Sequence, residues 1–280
     1  MRTLLLAVLF CGLPALTLAD NGRLLATGGA SSLEGAAGGG ITPWAVLAGY
    51  GEAGEWGATA FATRVNSQDY RLDVSGAAVA WDNRLELSYA QQRLDINSLH
   101  WPHSSLNQDV FGLKLRLFGD LLYEQLPQVS LGVQYKKQHS VRIHELVGAG
   151  RDADTEGYVQ ASRLLLGGAL GYNLLVNGGV RYSRANQLGL LGFGGAASDR
   201  REVLAEGSLA LLLNPRWMLG VEYRQKPDNL SFAKESDWAA LFLGYFPNKH
   251  LSLMLAWAQL GDIAGQSNQN GPYLSVQGSF

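Results

Sequence analysis

The chain has one cysteine, Cys11, in 280 residues. It is also poor in charge: Asp, Glu, Lys and Arg make up 16%, against about 25% in ordinary soluble domains. Basic and acidic residues nearly cancel, 22 against 24, so it lacks the basic excess that nucleic-acid binding requires. Beyond the N-terminus no apolar run suits a membrane-spanning helix. The best candidate, 164–180, holds five glycines and two asparagines, a poor composition for such a helix, and reads better as two strands joined at Tyr172-Asn173. Glycine shows no period of three, which excludes a collagen-like chain. What the chain does have is 47% hydrophobic residues and 35 glycines. That apolar content excludes charged disorder, and glycine with uncharged polar residues is not the composition of a helical bundle.

The N-terminus reads MRTLLLAVLFCGLPALTLA. One early charge, Arg2, precedes a short apolar run, and Thr17 and Ala19 are small residues placed for cleavage before Asp20. Residues 1–19 are therefore expected to be a signal peptide. Cys11 could instead mark a lipoprotein signal, but the bulky Phe10 before it opposes that. Cleavage after Ala19 would leave a chain with no disulfide, stabilised by packing and hydrogen bonds.

Strict period-two alternation recurs through the rest, the mark of strands. Leu85, Leu87 and Tyr89 share one face against Glu86 and Ser88. Phe111, Leu113, Leu115 and Leu117 oppose Gly112, Lys114 and Arg116. Short turns at Asp82-Asn83, Tyr172-Asn173, Asn214-Pro215 and Pro247-Asn248 alternate with long polar segments at 97–107, 138–156, 185–200, 226–237 and 261–271. Strands of about nine to thirteen residues with this loop asymmetry describe an all-β, transmembrane, antiparallel up-and-down barrel. In lipid every backbone amide needs a partner, and only a closed sheet gives one to strands. Trp81, Phe118, Tyr172, Trp217 and Phe246 border the short turns, where an aromatic girdle belongs. At the C-terminus Leu274, Val276, Gly278 and Phe280 alternate with polar residues. A last strand ending in Phe resembles the assembly signal of Gram-negative outer-membrane proteins.

Twelve strands are counted between residues 56 and 280. Thr42–Tyr50 (TPWAVLAGY) also reads as a strand and, paired with Arg23–Leu33, would make fourteen, a count slightly favoured over twelve. Otherwise residues 20–41 form a glycine-rich lead-in or plug and the barrel occupies 42–280. With the apolar faces toward lipid, the charged residues expected to line the lumen are Arg71, Asp73, Arg84, Glu86, Lys114, Arg116, Lys136, Arg181, Glu202, Glu206, Glu222 and Arg224. Such residues either conduct or seal. The apolar run Asn186–Gly195 is expected to fold into the lumen as a constriction or to rest on lipid or a partner.

No catalytic motif stands out: there is no G-x-S-x-G, P-loop or dinucleotide fingerprint. His250 and Ser252 share a face but sit about 7 Å apart along one strand, too far for a nucleophile–base bond. His100 and His103 have no nearby Cys or Glu to complete a metal site; a four-histidine cluster with His139 and His144 on the next loop is geometrically possible, but ordinary loop histidines are the simpler reading and no metal or cofactor is expected. The expected partners are outer-membrane lipid, periplasmic chaperones and the barrel-assembly machinery during biogenesis, and small solutes.

Seven stretches carry a family resemblance: LLATGGA (24–30), EGAAGGG (34–40), YRLDV (70–74), GVQYKK (132–137), RANQLGLLGFGG (184–195), KPDNL (226–230) and FPNKH (246–250). Through them the chain resembles a family of proteobacterial proteins known only as a domain of unknown function. The resemblance implies a Gram-negative envelope protein and assigns no activity or catalytic residue. The function expected from the residues is a narrow porin-like channel for small solutes, with a structural or docking protein and an outer-membrane hydrolase as alternatives.

Overall fold

The computed structural model describes residues 23–96, 105–140 and 143–280. The signal-peptide segment and the His100/His103 pair lie outside the described residues. Twelve strands close into one antiparallel barrel: β3 (Trp56–Asn66), β4 (Arg71–Trp81), β5 (Leu85–Asp95), β6 (Ser105–Phe118), β7 (Gln128–Gln138), β8 (Ala153–Ala169), β9 (Tyr172–Ser183), β10 (Glu202–Asn214), β11 (Trp217–Arg224), β12 (Trp238–Asn248), β13 (Leu251–Ile263) and β14 (Gln266–Ser279). Neighbours in the chain are neighbours in the sheet. The barrel closes between β14 and β3, with Tyr273 opposite Val65 and Ser279 opposite Thr59. The Phe280 N–H donates to the Ala58 carbonyl at 2.8 Å and the Ala58 N–H returns to Phe280 at 2.9 Å, so the last residue completes the seam.

The alternation in the sequence is the alternation of the wall. On β6, Phe111, Leu113, Leu115 and Leu117 are exposed and Lys114 is buried. One end of the barrel carries both barrel termini, four tight turns and the 119–127 connection; the other carries the long loops 139–152, 184–201 and 225–237 with the shorter turns 67–70 and 264–265. At the short end the rings of Trp56 and Trp81 lie 4.8 Å apart, Trp217 stacks on Tyr245 at 4.4 Å, and Phe118 and Tyr172 are exposed beside them. Phe246 departs from the expected girdle, being 1% exposed and turned inward. Leu241, Leu243 and Tyr245 take the outward positions of β12, so parity turns Phe246 in.

The segment 261–271, expected as a loop, is instead strand. β13 and β14 continue past the membrane band to a tight turn at Ala264-Gly265, where both residues have positive φ (50° and 83°). The residues are polar because the hairpin has left the lipid.

Thr42–Tyr50 is not a strand of the wall, and the count is twelve. Every residue from 26 to 51 is buried inside the barrel. This segment forms only a minimal ladder, β1 (Ala30–Ser31) against β2 (Ala37–Gly38). The apolar run Trp-Ala-Val-Leu-Ala earned its strand-like look from burial in the lumen rather than from contact with lipid.

Candidate functional site: a plugged lumen

The inserted segment enters and leaves at the short-turn end. Near its start, Arg23 donates to the Gly49 carbonyl at 3.0 Å. Near its end, Gly49 sits at φ 73°, and a Cβ there would come within 2.6 Å of the Phe280 carbonyl oxygen and the Ala58 nitrogen. Between them the segment folds back on itself, with Glu34 at its tip.

Three wall sites grip it. In the first, Glu86 accepts from the Ala48 N–H at 2.8 Å and the Ala37 N–H at 3.2 Å. Lys114 lies 3.2 Å from Glu86 and donates to the Ala37 and Val46 carbonyls at 2.9 and 2.8 Å. The second is Glu222, which accepts from the Gly40 and Ile41 N–H groups at 2.8 and 2.9 Å and from the Thr42 and Ser208 hydroxyls at 2.8 and 3.0 Å. A Cβ on Gly39 would fall 1.8 Å from the Glu222 Oε1, so only glycine lets the backbone approach this carboxylate. Trp44 donates its indole N–H to Ser208 at 2.9 Å.

The third site holds the tip. Glu34 meets three cations at once. Arg224 grips it through two parallel hydrogen bonds, Nη1 to Oε2 and Nη2 to Oε1, both 2.8 Å. Arg181 Nη2 lies 3.1 Å from Oε2, and Lys136 donates to Oε1. The wall adds two acids: Glu206, 2.6 Å from Arg181 and 3.3 Å from Arg224, and Glu156, 2.5 Å from Lys136 and also bonded to Arg181. The cluster therefore balances three cations against three carboxylates, one of which belongs to the plug. Neutrality and complete hydrogen bonding are the conditions under which such charges tolerate burial.

At the long-loop end, residues 186–193 turn inward and are buried, so the Asn186–Gly195 run is a cap on the lumen. Leu188 accepts from Lys136 at 3.2 Å and from Gln108 at 3.0 Å. Gln187 and Leu188 have φ of 46° and 62°, a region that costs a non-glycine residue energy and persists only where surroundings enforce it. Gln187 accepts from Lys226 at 3.0 Å and donates to Glu235 at 2.5 Å. A cavity of 30 Å³ between cap and wall, lined by Leu72, Leu94, Gln187, Leu190 and Trp238 among others, has room for about one water.

Of the twelve expected lumen residues, Glu86, Lys114, Lys136, Arg181, Glu206, Glu222 and Arg224 sit at these three sites. The other five do not sit at these sites. Arg71 and Asp73 face outward at the long-loop end, where Arg71 pairs with Asp95 at 2.7 Å and Asp73 with Arg64 at 2.5 Å. There the strand stands clear of lipid, so its outer face can be charged while Leu72 and Val74 pack inward. Arg84 is exposed at its turn and Glu202 at the start of β10. Arg116 is half-buried at the short-turn end, donating to the Gly119 carbonyl and to Asp120 at 3.0 Å. Glu34 and Glu156 were missed. For Glu34 the available signal was a lone acid beside the glycine run EGAAGGG; for Glu156, its place on the polar face of β8. The His250 Nδ1 lies 3.2 Å from the Ser279 carbonyl, and the Ser252 Oγ is buried without a partner; the two form no pair.

Residues 27–277 match the family described as "Protein of unknown function (DUF3034)". The chain belongs to this family. No curated protein matches it. Among solved structures, the DUF3034 chain is similar to a KdgM porin, with a TM-score of 0.52 at 11% identity over 79% of this chain and 99% of the porin. It is also similar to a NanC porin, with a TM-score of 0.48 at 12% identity over 80% and 99%, and to an outer-membrane channel of Pseudomonas putida F1, with a TM-score of 0.46 at 12% identity over 82% and 96%. The likeness to the KdgM porin is one of fold: a closed, porin-like, outer-membrane-type β-barrel.

Proposed function

We propose that this protein is an outer-membrane channel for small solutes, held shut by its own residues 23–50. The observation that carries this reading is the chemistry of the wall around the plug. A barrel sealed for good is most simply filled by its own apolar side chains. Here the wall presents Glu86, Lys114, Lys136, Arg181, Glu206, Glu222 and Arg224, and they reach the plug through hydrogen bonds and ion pairs. If the plug moves, water can replace each of those partners, so the wall suits a wet lumen as well as a filled one. The plug is also a hairpin-like insertion tethered at one end, which can withdraw without crossing the barrel.

The test is conductance in planar bilayers. The full chain should be silent or open rarely, and a chain lacking residues 23–50 should conduct steadily. A deletion variant that folds, judged by its heat-dependent electrophoretic shift, and still passes no current would refute the channel reading. It would favour the alternative that the filled lumen also supports, a structural barrel without a transport role. Export through a signal peptide, and recognition of Leu274, Val276, Gly278 and Phe280 by the assembly machinery, belong to the same reading. Membrane fractionation of cells expressing the native and Phe280→Ala chains tests both.

A further inference from the structure

We infer that the Lys136–Arg181–Arg224 cluster is a binding site for a small carboxylate solute, which the plug occupies with its own carboxylate, Glu34. This rests on the reading of the barrel as a channel and names the chemical class of what passes.

The inference is geometric. Both oxygens of Glu34 are engaged by a planar guanidinium in the two-pronged arrangement that matches a carboxylate, with Arg224 Nη1 and Nη2 each at 2.8 Å. A second guanidinium, from Arg181, approaches Oε2 at 3.1 Å, and the Lys136 ammonium binds Oε1. All four side chains are buried, Glu34 and Lys136 at 0% exposure. The three cations come from β7, β9 and β11, so the pocket belongs to the wall and remains when the plug leaves. Without Glu34, the three cations face only Glu156 and Glu206. The surplus is one positive charge, which a single monoanion neutralises. Glu34 is also the only acidic residue between positions 23 and 50, so the plug brings one carboxylate and places it in this pocket.

Lys136 also donates to the cap carbonyl of Leu188 at 3.2 Å. The pocket thus lies where plug, wall and cap meet. A solute carboxylate arriving there competes directly with Glu34 and displaces the tip.

The test uses the full chain with Glu34→Ala, which empties the pocket, and acetate as the probe. Acetate should raise the variant's thermal unfolding temperature by an amount that grows with the logarithm of its concentration, as expected for a ligand of the folded state. Chloride at equal ionic strength should not, and the native chain, whose tethered Glu34 competes for the pocket, should shift far less at the same acetate concentration. Adding Lys136→Met to Glu34→Ala removes the surplus charge and should abolish the acetate response. If Glu34→Ala refolds only when acetate is present, that rescue is itself the expected result. If it refolds in neither salt, Glu34→Ser, whose short side chain also leaves the pocket open, is tested in its place. No acetate-dependent shift in whichever variant folds overturns the site, as does a phosphate shift equal to or larger than acetate's. The channel reading fails separately: an acetate shift with no conductance from the plug-deleted chain leaves the carboxylate site standing and removes transport.

Discussion

Glu222 provides the sharpest measure of how the plug is held. Its carboxylate accepts four hydrogen bonds, two from plug backbone N–H groups, one from the plug hydroxyl of Thr42 and one from wall Ser208. Replacing it with alanine leaves the Gly40 and Ile41 N–H groups without an acceptor in the barrel interior. A stranded buried donor costs about 1–3 kcal/mol, so two cost roughly 2–6 kcal/mol, with the lower half favoured because the vacated space can admit water. Taking about 3 kcal/mol, and about 1.4 kcal/mol for each factor of ten, the plug around residues 38–44 should open on the order of 100-fold more often. Glu222→Gln keeps one oxygen for the two N–H groups, and its amide can donate to the two hydroxyls. It loses mainly the advantage of a charged acceptor, about 1 kcal/mol, or roughly fivefold. Amide hydrogen exchange on peptides spanning 38–44 reads this local opening directly, with the peptides of β5 and β6 as an internal control. An increase below threefold for Glu222→Ala, with unchanged wall exchange, would show that these bonds do not hold the plug.

The remaining expectations concern other parts of the same structure. Lys114→Met leaves the buried Glu86 without its cation and should destabilise the barrel by about 3–5 kcal/mol, whereas Lys114→Met with Glu86→Gln should cost clearly less; urea unfolding of the refolded protein separates the two. Gly39→Ala drives a Cβ into the Glu222 carboxylate and should reproduce the exchange increase of Glu222→Ala without touching that residue. At the short-turn end, Trp81→Ala removes the ring partner of Trp56 at 4.8 Å and should cost about 0.5–1.5 kcal/mol beyond the area lost, measured by unfolding in lipid vesicles. Burial opposes ionisation of Asp120, but the N–H groups of Tyr123 and Leu122 and the Arg116 guanidinium outweigh it and hold its carboxyl below the usual range. Its stabilising contribution is therefore complete above the unfolded carboxyl's range and lost as pH falls through the lowered folded value. The stability gap between the native chain and Asp120→Asn should accordingly be largest near neutral pH and close in acid.

The wall was legible and the plug was not, for one physical reason. A strand with lipid on one side and a polar interior on the other must alternate, and Leu113, Lys114, Leu115 announce both surroundings in three residues. Inside a filled barrel that contrast fades. Phe242 and Phe246 face the lumen while Leu241 and Tyr245 face lipid, and nothing in the run LFLGYF distinguishes them. The same blindness made Thr42–Tyr50 look like wall: Trp44 and Leu47 are as dry beside the plug ladder as they would be in a bilayer. At the long-loop end the error reversed. Arg71 and Asp73 obey the alternation, but the rule that polar means inward lapses where the strand leaves the lipid, so their parity was readable and their direction was not. Glu34 shows the same limit at the site itself. Its partners sit 102, 147 and 190 residues away in the chain, and no local pattern encodes a meeting that only closure of the barrel brings about. What the sequence did carry was the demand this meeting makes on the backbone. The plug reaches Glu222 because Gly39 has no side chain, so glycine beside a lone acid was the one legible trace of a segment built to sit against charged walls.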